Sequence, residues 1–363
     1  MNKTKRIENT FDVVRILIAI LLAYLIALII LALISDDPWN VISLFIIGPF
    51  NSRKHVGDIF TLMIPLVFTG LCMCFVYAIN KFNLAGEGAV NLGGCLAACV
   101  AIALRDTAVP GWIAIILCII VGALAGMLST AIPAIADQVF HADVCVISLM
   151  LNYILLYFTT YILKNVIKDQ GASVTASYKL GRKVKLANLI PGTQIHIGLL
   201  IALACVVFVA ILFYKMPFGY KMRAVGVNPS FARYIGIPVG STIILSQVIG
   251  GAFAGMGGSV QILGMFPRYK WESLTGYGFD GLMIAVLARK NPVLVPLSAF
   301  LIAYIRTGAS LVATKTQIPP EFVSIIQGII IVLVAAEMFL SGWKKRLIFS
   351  AAKKSLKEKE AKA

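Results

Sequence analysis

Three ionisable side chains stand in apolar stretches of this sequence, where a charge is costly and therefore suggests a function. Glu87 lies between two glycines, Asp280 precedes another glycine, and Arg306 lies within a long apolar run. Inside a bilayer such groups contact a solute or ion, or pair with one another, although a carboxylate in a first helical turn can simply cap the backbone. We take Glu87 and Asp280 as candidates for a solute path and expect Arg306 to pair with one of them.

Uncharged amides form a second candidate group, because they can hydrogen-bond a polar solute without placing a net charge in the membrane. The amides in or near the ends of apolar segments are Asn91, Asn152, Gln247 and Gln261. Three tyrosines, Tyr153, Tyr157 and Tyr161, recur at every fourth residue. This spacing favours packing between helices over stacking on a solute.

The elements that must hold these groups are apolar segments of transmembrane length. The chain has 363 residues, of which 60% are hydrophobic and 13% charged, more apolar surface than a soluble domain can bury. A membrane-spanning helix needs about 20 mostly apolar residues. The clear runs of this kind are Ile16 to Ile34, Ile59 to Ile79, Trp112 to Ile135, Val144 to Leu163, Ile195 to Tyr214, Thr242 to Leu263 and Phe322 to Leu340. Segments that are short or interrupted by polar residues, and that we also expect to be embedded, are Leu84 to Leu104, Gly278 to Leu287 and Val293 to Leu311.

About ten embedded segments without strand-like alternation predict an all-α membrane protein, a polytopic helical bundle. If the bundle is a 5+5 inverted repeat, Glu87 and Asp280 open equivalent segments, and such segments often mark a transporter's binding region. Glycines one helical turn apart, Gly122 with Gly126 and Gly251 with Gly255, predict close approach between helices.

The distribution of lysine and arginine predicts that both termini are cytoplasmic. The predicted parts are a cytoplasmic N-terminus (1–15), a transmembrane domain (16–341) and a basic cytoplasmic tail (342–363). Residues 164–194 then form an external loop, and residues 215–240 a cytoplasmic one. The external loop carries six of the twelve cations on its side, against the usual bias.

The cytoplasmic loop carries the signature of a short helix. Asn228 and Pro229 are typical of an N-cap and a first helical residue, which predicts a helix from Pro229 to Ile235 ended by Gly236. Such a helix can lie on the membrane surface, held by its apolar side chains, or dock a cytoplasmic partner. The pattern alone leaves both alternatives open.

Three stretches resemble one protein family. Arg223 to Gly236 resembles the coupling loop of bacterial ABC importer permeases of the simple-sugar and branched-chain amino acid superfamily. Residues 82–88, Phe-Asn-Leu-Ala-Gly-Glu-Gly, look like its entry signature, with Leu-Ala in place of Ile-Gly, and residues 276–292 look like its late signature. The resemblance covers roughly residues 60 to 340. The combination of motifs is most similar to the nucleoside branch, which works with a basic membrane lipoprotein.

The resemblance implies a division of labour among subunits. This chain would be a permease subunit in a bacterial cytoplasmic membrane, beside a second homologous permease, a cytoplasmic ATPase and an external solute-binding lipoprotein. The residues that it assigns to coupling with the ATPase are Arg223, Ala224, Gly226, Asn228, Pro229, Ala232 and Gly236. The sequence contains no Gly-x-x-x-x-Gly-Lys-Ser/Thr loop, so we expect ATP and Mg²⁺ on the ATPase, no cofactor here, and no enzymatic activity of this chain.

Other classes of function fit less well. The net charge of +16 comes from basic residues that flank apolar runs, which favours lipid headgroups over nucleic acid. The seven cysteines lie in apolar segments and predict neither a zinc site nor disulfides. Alternatives kept open are an ABC permease for simple sugars or amino acids, and an ion-coupled transporter with Glu87 and Asp280 as ion carriers. A membrane-embedded enzyme is disfavoured because the three histidines are far apart in sequence.

Overall fold

The computed structural model describes residues 37–171 and 173–316, together with Leu25 and Gly328. Apart from these two residues, the predicted segments Ile16 to Ile34 and Phe322 to Leu340 lie outside the described residues, as do the N-terminus (1–15) and the basic tail (342–363). Within the described ranges the regular structure is helical, with two isolated β-bridges.

The α-helices in chain order are α1 (Pro38–Ile46), α2 (Arg53–Ala78), α3 (Gly86–Ala103), α4 (Gly111–Phe140), α5 (Val144–Asn165), α6 (Gly198–Lys215), α7 (Pro217–Val227), α8 (Pro229–Tyr234), α9 (Val239–Met265), α10 (Tyr277–Leu287) and α11 (Val295–Lys315). Short 3₁₀ helices occupy Gly48–Phe50, Arg182–Val184 and Pro292–Leu294. Among the described residues, seven helices are long and apolar enough to cross a membrane, the last of them running from Pro292 to Lys315. This confirms a helical membrane protein, whereas ten embedded segments and the inverted repeat stay predictions.

Every predicted segment within the described ranges lies on a helix, but the boundaries differ. Helix α2 begins at Arg53 rather than Ile59, because its first turns carry charged residues that a hydropathy pattern excludes. Helix α7 was not predicted and fills the first half of the 215–240 loop. Helix α10 has 11 residues, which is too short to span a bilayer.

Residues 47–308 form one compact unit, and α1 belongs with the end of α11 to a second. In the larger unit α2, α3 and α9 are the most deeply buried of the candidate spans. Helices α3 and α9 are rich in glycine and other small residues, which lets backbones approach closely. Helices α4 and α6 instead expose aliphatic faces, such as Leu124 and Leu128 on α4 and Val207 and Ile211 on α6, as expected of lipid-facing surfaces.

The two predicted glycine pairs pack against each other, which confirms their structural role. A side chain at Gly255 of α9 would collide with the carbonyl oxygen of Gly122 on α4, and one at Gly126 would collide with that of Gly251. Helix α3 joins the same crossing, because a Cβ at Gly93 would lie 2.7 Å from Gly255 Cα. These glycines therefore set the separation of three helices.

The variant Gly255→Val is expected to destabilise the protein by about 3 kcal/mol or more, since its side chain has no space to enter. The yield and thermal unfolding of detergent-purified protein measure this effect. Gly240→Val is the matched control on the same helix, where a Cβ meets only Gln138 Oε1 at 3.5 Å. Equal unfolding temperatures for the two variants would contradict the close crossing.

Candidate functional site

Glu87 joins the first turns of two helices. It lies in the first turn of α3 and is fully buried. Its Oε1 accepts hydrogen bonds from Thr275 Oγ1 at 3.0 Å and from Gly276 N at 2.7 Å, and its Oε2 accepts one from Gly278 N at 2.6 Å. Free N–H groups at a helix start favour a negative charge. One carboxylate therefore caps α10 while it sits at the start of α3.

Asn152 of α5 supports the other side of the same turn. Its Oδ1 accepts a hydrogen bond from Gly88 N at 2.8 Å, and its Nδ2 donates to Leu84 O at 3.0 Å. One turn earlier on α5, Ser148 Oγ accepts from Leu84 N at 2.9 Å. Sequence reasoning missed Ser148, although its spacing of four from Asn152 places both on one helix face.

Gln247 is tied to the chain that leads into α3. Its Oε1 accepts from Asn83 Nδ2 at 2.7 Å, and Asn83 Oδ1 accepts from Ala85 N at 2.9 Å. The amide of Asn83 also reaches Thr130 O at 3.4 Å. Asn83 was not among the predicted site residues, yet it links α4 and α9 to the segment before Glu87.

Asn91 differs from the other predicted path residues. It lies one turn after Glu87 on α3 and is fully buried. Neither its amide nitrogen nor its oxygen has a hydrogen-bond partner among the described residues. Because buried amides are normally paired, Asn91 has unused hydrogen-bonding capacity on both its amide atoms.

Asp280 pairs with Arg306, as the sequence led us to expect for one of the two acids. Asp280 Oδ2 lies 2.7 Å from Arg306 Nε, and the guanidinium carbon of Arg306 lies 5.9 Å from the ring centre of Tyr277. Glu87 accepts hydrogen bonds from Gly276 and Gly278, in the same first turn of α10 as Asp280. The structure thus brings together Glu87, Asp280 and Arg306, and direct contact of these groups with a solute stays a prediction.

The predicted short helix after Asn228 is confirmed as α8. Asn228 Oδ1 accepts from Phe231 N at 3.0 Å, Pro229 is its first residue, and Gly236 has a φ of +82° after its end. The helix ends at Tyr234 rather than Ile235. Ala232 is its buried residue.

Helix α7, which precedes α8, is anchored to three long helices. A side chain at Gly226 would collide with the carbonyl of Ala78 on α2, the guanidinium of Arg223 donates to the carbonyl of Phe213 on α6, and Met222 Sδ accepts from Ser246 Oγ of α9. Ala224 lies on the same helix. Gly226 is therefore packed against α2, and Arg223 contacts the end of α6 while its side chain stays exposed.

The side that α7 and α8 turn away from the bundle carries large apolar side chains, with the exposed polar residues Asn228, Ser230 and Arg233 among them. Val227 is 88% exposed and Tyr234 is 91% exposed, and Phe231 and Ile235 are exposed beside them. We call these four residues the α8 tip. Exposed apolar groups of this kind mark sites of contact with a protein or a membrane.

The tyrosine stripe of α5 is not packed inside the chain, which corrects the sequence interpretation. Tyr153 is 54%, Tyr157 71% and Tyr161 61% exposed. At about 1.5 Å per residue, Tyr153 and Tyr157 lie within about 4 Å of the helix midpoint, too deep for an interfacial tyrosine belt. This face of α5 thus carries hydroxyl groups where α4 and α6 expose aliphatic side chains.

Known proteins with sequences similar to this chain are transport permeases. A family profile described as branched-chain amino acid transport system / permease component matches residues 56–335. The chain is 29% identical to the nucleoside ABC transporter permease protein NupB of Lactococcus lactis, over 96% of this chain and 97% of that protein. It is 32% identical to the guanosine ABC transporter permease protein NupP of Bacillus subtilis over 80% and 83% of the two chains, and 25% identical to the glucose ABC transporter permease protein TsgB13 of Haloferax volcanii over 88% and 86%.

Proposed function

We propose, because the chain belongs to the branched-chain amino acid transport permease family, that it is the membrane-spanning permease subunit of an ATP-driven nucleoside importer. The observation that carries the choice of solute is similarity, over most of this chain, to relatives named as nucleoside and guanosine permeases. The more distant glucose permease makes sugars the solute to be excluded by experiment. Uncharged buried amides suit nucleosides, whose hydroxyl groups and base edges carry no net charge.

A cytoplasmic ATPase subunit binds the α8 tip in this proposal. The apolar side chains of the tip are exposed, and α7 beside them is held by α2, α6 and α9. A movement of the ATPase is then transmitted to three helices together, because packed helices move as rigid elements. ATP is hydrolysed on that partner and not on this chain.

The solute passes between this chain and a second homologous permease. The tyrosine stripe of α5 supports this, since hydroxyl groups near the middle of a span are poorly suited to lipid. Asn91, with its unpaired amide, supplies a hydrogen-bonding group within the chain when the path opens. Glu87, Asn152, Gln247 and Asp280 border the path as the polar framework that positions α3 and α10.

The orientation of the chain in the membrane follows from the assignment of α8 as the element that binds the cytoplasmic ATPase. With α8 in the cytoplasm, the loop between α5 and α6 lies at the other end of α6 and faces outward, and both chain termini are cytoplasmic. The starts of α3 and α10 meet at Glu87, which supports equivalent positions in two inverted halves of five segments. The complete importer includes an external solute-binding lipoprotein.

Uptake of labelled uridine by the native host, with and without this chain, tests the proposal. We expect uptake to require the chain, to be blocked by excess guanosine and to be unaffected by ribose. Competition by ribose alone would replace nucleosides with sugars as the solute. Uptake that fails on loss of the proton gradient while ATP is maintained would contradict an ATP-driven importer.

A further inference from the structure

The chain between α9 and α10, residues 266–276, enters the middle of the bundle without forming a helix. Its last residue, Gly276, donates to Glu87. Glu87 lies between the two contacts that its own part of the chain makes with α9, at Gln247 and at Gly255. These two contacts lie on either side of the middle of α9, which runs from residue 239 to residue 265. Residue 276 is therefore near the middle of the span, whereas residue 266 is at the end of α9 that the proposed function places outside.

The backbone of this segment has hydrogen-bonding groups that the chain itself does not use. Within the described part of the chain, the N–H groups of residues 270–275 donate no hydrogen bond. The side chains of Glu272 and Ser273 are exposed. At membrane depth, non-helical backbone is tolerated where it is buried in protein or lines a water-filled cavity. Residues 270–275 therefore line water in the outer half of the bundle.

The indole of Trp271 is the centre of an aromatic cluster on this segment. Its ring centre lies 5.9 Å from that of Phe266, 5.7 Å from that of Tyr269 and 6.4 Å from that of Tyr277. These rings meet the indole at angles of 59° to 84°, so none of the three is stacked parallel on it. The indole also packs over Gly94 of α3, where a Cβ would lie 2.7 Å from it, and Trp271 stays partly exposed. An indole of this kind can stack on a planar ring of a ligand.

Two fully buried amides with unused hydrogen-bonding atoms lie beside the same segment. Asn91 is four residues after Glu87 and three before Gly94, and both of those residues contact the segment. Helix periodicity places the three on one face of α3, so the unpaired Nδ2 and Oδ1 of Asn91 face the segment. Gln261 of α9 lies one turn beyond Gly258, whose carbonyl oxygen is 3.3 Å from a Cβ at Gly94. The Oε1 of Gln261 also has no partner among the described residues.

We propose that Trp271 and the amides of Asn91 and Gln261 bind the planar base of the solute in the outer half of the permease. The proposal rests on the proposed function, which makes the solute a nucleoside. The indole stacks on the face of the base, and the amides pair with the donors and acceptors of its edge. Both amides are buried, so the segment shifts when the base enters, and this shift breaks no hydrogen bond donated by the backbone of residues 270–275. The site selects the base and not the ribose.

Cysteine accessibility tests whether the segment lines water. Cells that express the complete importer with Ser273→Cys are depleted of ATP and treated from outside with a membrane-impermeant thiol reagent. Leu203→Cys is the matched control, because Leu203 is exposed on the lipid-facing side of α6, about 5 Å from the middle of that helix. We expect Ser273→Cys to be labelled above the background of the seven native cysteines, and the control to stay at background. Equal labelling of the two variants, or no labelling of Ser273→Cys, would overturn the proposal.

Protection by the solute tests what the site binds. Saturating guanosine is expected to slow the labelling of Ser273→Cys at least about fivefold, because it occupies the site, and ribose is expected to leave the rate unchanged. Adding Asn91→Leu should abolish this protection while the protein unfolds at or above the wild-type temperature, since the amide of Asn91 has no partner to lose. Asn152→Leu is the control for stability, because it loses two hydrogen bonds and should unfold at a lower temperature.

Two results would reject the site: equal protection by ribose, and protection by guanosine that survives Asn91→Leu. A lower unfolding temperature for Asn91→Leu, equal to that of Asn152→Leu, would instead show that the amide of Asn91 is structural and would also overturn the proposal. Labelling is measured without transport, so its outcome is separate from that of the proposed function. Nucleoside uptake without protection rejects this site alone, whereas protection without ATP-driven uptake rejects the proposed mode of energy coupling alone.

Discussion

Replacing Glu87 with alanine is expected to abolish uptake and to lower the thermal stability of the purified protein. The change removes the acceptor for Thr275 Oγ1, Gly276 N and Gly278 N. Each donor left unpaired costs about 1–3 kcal/mol. Thermal unfolding in detergent measures the stability, and solute uptake in cells measures the transport. We expect the unfolding temperature and the uptake to decrease together.

Two further variants make the Glu87 prediction specific. Glu87→Gln keeps one acceptor oxygen but turns an amide N–H₂ toward a backbone donor, so its stability should lie between wild type and alanine. Glu272→Ala removes a half-exposed carboxylate and should be nearly neutral. If Glu87→Ala unfolds at the wild-type temperature and yet loses uptake, the acid acts on the solute directly and its capping role is secondary.

The double variant Val227→Ala/Tyr234→Ala is expected to lower uptake by about tenfold or more, because exposed aromatic and apolar anchors contribute most of the energy of an interface. The same variant should lose binding to the ATPase, measured by co-purification. Its thermal stability should be unchanged, since both side chains are almost fully exposed.

Tyr178→Ala is the matched control for this prediction, as an exposed tyrosine at the other end of α6. Full retention of the ATPase by the double variant would contradict a docking role. In that case the alternative left open by the sequence, a helix lying on the membrane surface, would explain the exposed apolar side chains.

The long helices could be predicted from the sequence because each is an almost continuous apolar run. The helical segments that the hydropathy pattern missed were missed for one common reason. The first turns of α2 carry Arg53, Lys54 and Asp58, and α7 carries Lys221 and Arg223, so neither segment looks apolar. Helix α8 was predicted because its signal is local: an N-cap, a proline and a terminating glycine.

The site could be predicted only in part, because the hydrogen-bond partners of its residues are distant in the chain and many of them are backbone groups. Glu87 was singled out as a costly charge, but its donors include the N–H groups of Gly276 and Gly278, which leave no sequence signal. Asn91, predicted on the same grounds as Asn152, lacks the hydrogen-bond partners that Asn152 has. The tyrosine stripe of α5 was judged from its spacing, which reports a common helix face and not what that face contacts.

The carboxylate of Glu87 also bears on the order in which the chain enters the membrane. Helix α10 is about 16 Å long, roughly half the hydrocarbon thickness, so its own hydrophobicity cannot hold it across the bilayer during synthesis. Its first N–H groups are satisfied by a residue made 189 to 191 positions earlier. Helix α10 must therefore settle after α3 is in place, and a nascent chain that stops before Thr275 leaves a buried acid without its donors. The nascent chain would be exposed to membrane quality-control proteases until residues 275–278 have been translated.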